Sequence, residues 1–452
     1  MKKKLTVQEY VVVASMLFGL FFGAGNLIFP VHMGQMAGSQ LVPATLGFLI
    51  TGVGLPLLSV AALGISKSEG LFDLSRKVSR PYAYFFTCLL YLTIGPFFAI
   101  PRCATTAFTV GIEQAVPQAA EQLRLWLLVF SAVFFAAALL FSLFPGKILT
   151  WVGKILNPFF LLFLGILIIV ALVKPSAAIS AVAPDGAYAS QAFSTGFLEG
   201  YNTMDVLAGL AFGIIVVQVI RELGVTDADA VASSTVKAGV FSSLLMALIY
   251  LAVTVVGAQS RGLFATSENG GIALAQIARH YLGSAGLVIL AATVTLACLK
   301  TSVGLITSCA ETFCGMFPKG PGYRAWAVLF TLISFALSNF GLSTIISYSV
   351  PVLMFLYPLA IALVLLALFG RFYRHDRAVY ISVIVCTLLA ALYDLICALP
   401  EGLHDALHAD AVQAFGLRVL PFAGAGLGWI CPLALGFVIG LAVHLMQKFR
   451  TK

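Results

Sequence analysis

The feature that most limits this chain is a succession of apolar blocks, many of them about 20 residues long, joined by short polar connections. A helix rises about 1.5 Å per residue, so roughly 20 residues cross the ~30 Å of a bilayer's hydrocarbon. The blocks fall at 8–37, 41–64, 81–112, 122–144, 150–173, 193–220, 234–257, 285–315, 325–339, 342–369, 377–399 and 420–446. Charged residues make up 10% of the 452 and hydrophobic residues 61%. A soluble domain carries about 25% charged residues because its surface meets water. Lipid removes that demand. Membrane-spanning strands would alternate in polarity over about 10 residues, and these blocks do not. The reading is an all-α polytopic membrane protein of about twelve transmembrane helices, forming a single membrane domain over 1–452.

Basic residues test the orientation. Assigning alternate connections to opposite sides puts 19 of the 26 Lys and Arg on one side and 5 on the other, with Arg102 and Lys300 inside spans. Cytoplasmic loops are the basic ones, so both termini are expected in the cytoplasm, and the N-terminal block is expected to be a retained helix. A net charge of +8 does not imply nucleic acid, because no basic face with interleaved aromatics exists. The eight cysteines are scattered, mostly within apolar blocks, and form no CxxC pair. They imply neither a disulfide framework nor a zinc site. The loop 258–284 is the longest external connection. Its mildly amphipathic stretch from Gly271 to Tyr281 is compatible with a short helix over the external mouth or with a plain loop.

Two blocks are interrupted. The first contains Gly23-Ala24-Gly25-Asn26-Leu27-Ile28-Phe29-Pro30 at its middle. Glycines and a polar Asn at membrane depth mark an unwound segment, because lipid tolerates irregular backbone only around protein or a wet cavity. Such a break offers amide N–H groups to a carboxylate and carbonyls to Na⁺. Close packing on small residues is the bland alternative. The sixth block holds Asp205 well inside its apolar run, near Gly209 and Gly213. A carboxylate there needs a cation, a basic partner or water; Arg102 and Lys300 are the candidate internal partners. Breaks in helices 1 and 6 are five helices apart. An odd-numbered unit enters the membrane upside down when repeated, which points to an inverted five-plus-five repeat, 8–173 and 193–369, with 377–446 as two extra helices. In the eighth block, Thr301 and Ser302 could give hydroxyl oxygens to a small cation or merely bond their own backbone. Tyr91, Pro96, Pro101 and Arg102 in the third block are weaker candidates.

The segment from Gly23 to Pro30 resembles the unwound first helix of the neurotransmitter:sodium symporter superfamily. Over its whole length the chain more closely resembles the bacterial branched-chain amino acid carriers of the BrnQ type, in the Phe21–Pro30 segment, the Lys300-Thr301-Ser302 region and the helix count. That resemblance implies alternating access and import of leucine, isoleucine and valine across the bacterial cytoplasmic (inner) membrane, coupled to Na⁺ or, in some members, to H⁺. It implies that Ala24, Gly25 and Asn26 cradle the substrate carboxylate. The stretch from Thr203 to Gly213, with Asp205 and Gly209, would face the amine and the aliphatic chain. The carbonyls of Gly19, Phe22 and Cys298 and the hydroxyls of Thr301 and Ser302 would form a sodium site. No cofactor is implied. The chain lacks a phosphate-binding Gly-Lys-Ser/Thr loop, so direct ATP drive is not expected. A channel would need a continuous polar path, and a membrane-embedded enzyme would need converging acids or histidines; neither pattern stands out.

Overall fold

A computed structural model describes residues 4–66, 68, 70–116, 119–143, 157–400, 402–403 and 409–450. The helices are α1 Val7–Phe21, α2 Gly25–Ala37, α3 Leu41–Leu49, α4 Leu55–Ser66, α5 Leu71–Arg76, α6 Arg80–Leu92, α7 Ala99–Gly111, α8 Ala120–Leu143 and α9 Asn157–Val173. They continue as α10 Tyr188–Glu199, α11 Asp205–Glu222, α12 Ala228–Ser260, α13 Gly270–Met316, α14 Tyr323–Ser338, α15 Leu342–Phe369, α16 Arg377–Cys397, α17 Ala409–Val419 and α18 Ile430–Arg450. The described residues contain no strand. Among them, 8 helical stretches are long and apolar enough to cross a bilayer, and the shorter apolar helices Val7–Phe21, Leu161–Val173 and Tyr323–Ser338 accompany them. The first part of the block at 150–173 lies outside the described residues.

Local chemistry sets the ends of these helices. Thr6 caps α1 in a reciprocal box: its hydroxyl accepts from the Glu9 amide, and the Glu9 carboxylate accepts from the Thr6 amide at 2.8 Å. This satisfies donors that a helix start leaves free. The side chain of Asn269 caps α13 by accepting from the amides of Gly271 and Ile272. The stretch from Gly271 onward is therefore helix rather than loop. It bends at Gly283, where φ is +66°, before the long second part of α13 continues. The third block bends through a π-turn at Thr93–Phe97, where Gly95 leaves helical geometry just before Pro96.

The surface confirms the medium. On α12, Leu244, Leu248 and Leu251 are exposed at helical spacing, while Met246, Tyr250 and Val253 are buried. An apolar stripe of this kind is a liability in water and a normal face toward lipid. Inside, the backbones approach closely. A Cβ on Gly34 would come within 2.1 Å of the Thr254 carbonyl oxygen, and one on Gly257 within 2.1 Å of that of Val31. Glycine alone permits this crossing of α2 and α12. The result clamps α2 against α12 and fixes where the break before α2 points.

Candidate functional site

The first block breaks between α1 and α2. Helical geometry ends at Phe21 and resumes at Gly25, so the irregular stretch is Phe22, Gly23 and Ala24. Gly25, Asn26 and Pro30, read from sequence as part of the unwound segment, belong to α2 instead. Pro30 is the sixth residue of α2 and leaves the Asn26 carbonyl without its helical donor, which a membrane helix tolerates where neighbouring helices pack on it. The sixth block breaks between α10 and α11. A 3₁₀ turn, Gly200–Thr203, leads to Met204 in the left-handed region at φ +62°, and α11 starts at Asp205. A non-glycine residue there is strained. The Thr203 hydroxyl bridges the turn: it donates to the Gly200 carbonyl at 2.9 Å and accepts from the Asp205 amide at 3.3 Å. Gly200 is obligatory because a Cβ would overlap Thr51. The glycines that drew attention in sequence, Gly209 and Gly213, lie in regular helix against Ser59 and Leu63 of α4. They serve close packing, and the chain opens earlier than they suggest.

Asn26 joins the two breaks. Its side-chain oxygen accepts from the Gly23 amide at 2.8 Å, and its nitrogen donates to Asp205 Oδ2 at 2.7 Å and to the Tyr250 hydroxyl. Tyr250 donates to the same Asp205 oxygen at 3.0 Å. Both bonds land on Oδ2, and Asp205 also lines the adjoining cavity. Asp205 and Asn26 are each 2% exposed. Asp205 thus takes neutral donors in Asn26 and Tyr250. Arg102 has another task. It is 4% exposed, its Nη1 donates to the Asn202 carbonyl at 2.7 Å, and its guanidinium lies 5.0 Å from the centre of the Phe29 ring. A Cβ on Gly25 would sit 2.9 Å from its Nη2. The guanidinium therefore covers the start of α2 while holding the second break.

These groups border a cavity of about 110 Å³, room for a small organic molecule rather than a single water. Of the residues singled out in sequence, Gly19, Ala24, Gly25, Asn26, Thr203, Asp205 and Thr301 line it, joined by Arg102 and Lys300. Phe22, Cys298, Ser302 and Gly209 do not line it. Leu20, Ile94, Ala208, Phe212 and Leu305 supply an apolar wall. The lining includes a helix start and a guanidinium, which suit a carboxylate. It also includes the Asp205 carboxylate, which suits an ammonium group. Thr301 adjoins the first break, its hydroxyl 3.6 Å from where a Gly23 Cβ would be, and donates to its own helix at Ala297. Ser302 is fully buried, and its hydroxyl has no hydrogen-bond partner among the described residues. Those residues contain no group of three or more His, Cys, Asp or Glu that could hold a metal ion.

Tyr250 was missed by sequence reasoning. Its signal was a phenol in the middle of an apolar span, where a hydroxyl must find a partner. Arg102 was noticed, but nothing in the sequence aimed it at the start of α2.

Two helix interruptions meet around this cavity inside an all-α polytopic membrane protein. Solved structures share the overall fold: Mhp1 in its inward-facing conformation, with a TM-score of 0.63 at 15% identity over 98% of this chain and 91% of that one, and MhsT in complex with L-phenylalanine, with 0.57 at 16% over 98% and 99%. The chain belongs to the branched-chain amino acid transport protein family, whose pattern matches residues 6–447. It is 53% identical to the branched-chain amino acid permease BrnQ of Lactobacillus delbrueckii subsp. lactis, over 100% of both chains. It is 39% identical to BrnQ of Bacillus subtilis (strain 168), again over 100% of both. Its relatives are permeases, so it is a transporter and not an enzyme.

Proposed function

We propose that this protein imports leucine, isoleucine and valine by secondary active transport coupled to Na⁺, cycling by alternating access in the cytoplasmic (inner) membrane with both termini in the cytoplasm. The observation that carries this reading is the Asn26–Asp205 bond, which ties the two helix breaks together beside a cavity lined by both Arg102 and Asp205. The substrate carboxylate rests at Ala24, Gly25 and Asn26, and its ammonium at Asp205 beside Thr203. Its aliphatic chain lies along α11 on the side of Ala208, with Gly209 keeping that helix close to α4. A coupling Na⁺ sits between the carbonyls of Gly19, Phe22 and Cys298 and the hydroxyls of Thr301 and Ser302. The unpartnered Ser302 hydroxyl supports that placement, since a buried polar group without a partner is costly. One methylene changes binding in an apolar pocket by only about 1–3 kcal/mol, which accounts for shared use of the three side chains.

The two halves, 8–173 and 193–369, act as inverted repeats of five spans each, and 377–446 adds two further helices to make about twelve. Cation binding orders the first break and favours substrate capture. The second reading is H⁺ coupling, favoured by the buried carboxylate at the site, with a branched-chain or another neutral amino acid as cargo.

Proteoliposomes decide between them. Labelled leucine should accumulate under an imposed inward Na⁺ gradient and stop when that gradient is dissipated. Uptake driven by a proton gradient alone would remove the sodium assignment, and uptake driven by neither would remove symport.

A further inference from the structure

A second cavity touches the same helix break. It holds about 340 Å³, the size of a small-molecule site, and shares no lining residue with the transport cavity. Tyr201 and Asn202 of the Gly200–Thr203 turn line it, while the next residues, Thr203, Met204 and Asp205, line the transport cavity. Its lining includes the exposed Ala187, Gln191 and Gly424 and the buried Tyr201, Asn202 and Leu353. The cavity therefore leads inward from the surface to the break.

Two kinds of chemistry meet in this lining. Gln191, Thr195 and Glu199, four residues apart on α10, supply an amide, a hydroxyl and a carboxylate. Val350, Leu353 and Met354, at helical spacing on α15, supply apolar surface. The Thr195 hydroxyl donates to the Gln191 carbonyl at 2.8 Å, so toward a ligand it accepts. Among the described residues, the Glu199 carboxylate receives one hydrogen bond, from the Asn202 side chain to Oε2 at 3.3 Å. A carboxylate has about four acceptor sites. The lining thus asks for a cationic donor with an apolar body. A metal ion gathers several oxygens and would leave the α15 surface and most of the volume unused. A neutral apolar molecule would leave the carboxylate unmet.

We propose that this cavity is a regulatory binding site for a small amphipathic organic amine, with its ammonium group on Glu199 and its alkyl part on Leu353 and Met354. Asn202 links the site to transport. Its side-chain nitrogen donates to Glu199, and its carbonyl accepts from Arg102 Nη1 at 2.7 Å. Arg102 in turn lines the transport cavity. An amine that fits the cavity in this shape favours the conformation in which Arg102 is held, because a ligand shifts an equilibrium by its preference for one state. By linkage, the amine raises the affinity for leucine, and leucine raises that for the amine by the same factor. The coupling rests on the transport reading above, whereas the binding does not.

The probe is labelled n-pentylamine, a primary ammonium on a short alkyl chain. Its binding to the full-length protein in detergent is measured without leucine and corrected with excess unlabelled amine. Binding should be saturable, and pentan-1-ol should not displace it. Glu199→Gln keeps an acceptor for Asn202 but loses the charge, and should weaken binding about 30-fold. Met354→Trp fills the cavity without altering the carboxylate and should also abolish binding. Asp205→Asn should leave it intact, because that carboxylate lines the other cavity. Binding that is lost in Asp205→Asn and kept in Glu199→Gln puts the amine in the transport cavity and overturns the proposal. So does the absence of saturable binding, or displacement by pentan-1-ol. If Glu199→Gln does not fold, a folded Met354→Trp with wild-type binding overturns it equally. In proteoliposomes, saturating n-pentylamine should lower the leucine concentration for half-maximal uptake at least about fivefold in the wild type and have no effect in Glu199→Gln. A rise in the wild type, or an equal effect in Glu199→Gln, overturns the regulatory role. Absence of leucine uptake without the amine would instead count against the transport reading and leave the binding result standing.

Discussion

Replacing Asp205 with asparagine removes one charge and almost nothing else. Asparagine has nearly the same volume, and its carbonyl can still accept from Asn26 and Tyr250, so the link between the two breaks survives. What disappears is the anion offered to the substrate's ammonium group. Two unit charges about 4 Å apart attract by roughly 4 kcal/mol at an effective dielectric of 20. Truncating one member of a buried hydrogen-bonded charge pair costs about 2–5 kcal/mol, part of it the stranded partner's desolvation. At about 1.4 kcal/mol per factor of ten, even the lower figure raises the KM for leucine by roughly 30-fold. The assay is labelled leucine uptake into proteoliposomes at a fixed inward Na⁺ gradient, with competition by 4-methylpentanoate, which is leucine's skeleton without the amine. The wild type should discriminate strongly between the two, and Asp205→Asn should erase most of that difference. A folded variant whose leucine KM stays within about threefold of wild type, below the ~2 kcal/mol expected, or whose discrimination is unchanged, would refute the assignment.

Other perturbations address separate parts of the structure. Ser302→Ala deletes the unpartnered hydroxyl; losing a ligand worth about 1.4 kcal/mol raises the Na⁺ concentration for half-maximal uptake about tenfold, and an unchanged Na⁺ dependence excludes Ser302 as a ligand. Gly257→Ala forces a methyl against the Val31 carbonyl and should cost about 1–3 kcal/mol by overpacking, read as a lower melting temperature in detergent; a shift under about 1 °C would mean the crossing of α2 and α12 relaxes freely. Outside the membrane, Asp185 accepts from Thr266 and from Arg261 at 2.7 Å, bonds that hold its carboxyl below the ordinary value of 3.8. Its contribution is then complete above that value and is lost as pH falls through the lowered one. Melting curves of Asp185→Asn should differ from wild type at pH 7 and converge with it in strong acid; a gap that persists there assigns the effect to shape rather than charge.

Much of the architecture was legible because membrane insertion makes length and hydropathy into direct structural constraints. The helical stretches observed start and stop close to the apolar blocks, as with Tyr323–Ser338 against 325–339. The breaks were legible to the block but not to the residue. Gly25 and Pro30 looked irregular and proved helical, because membrane helices tolerate glycine and proline where neighbouring helices pack on them. Gly209 and Gly213 looked like a loosened helix and proved to be contact points with α4, since spacing on one helix says nothing about how near its neighbour comes.

The sequence by itself determined that this chain lives in a bilayer, that two of its spans carry polar interruptions, and which residue types are available there. These are properties of local composition, and a solvent as restrictive as lipid leaves few ways to satisfy them. Only the tertiary structure decided that Asn26 meets Asp205 across 179 positions of chain, that Tyr250 completes the trio, and that Arg102 turns to Asn202 and the start of α2 rather than to the carboxylate. Those choices depend on helices from distant parts of the chain approaching within hydrogen-bond reach. Backbone contacts such as Gly257 on Val31 set that approach, and no pattern along one helix encodes it.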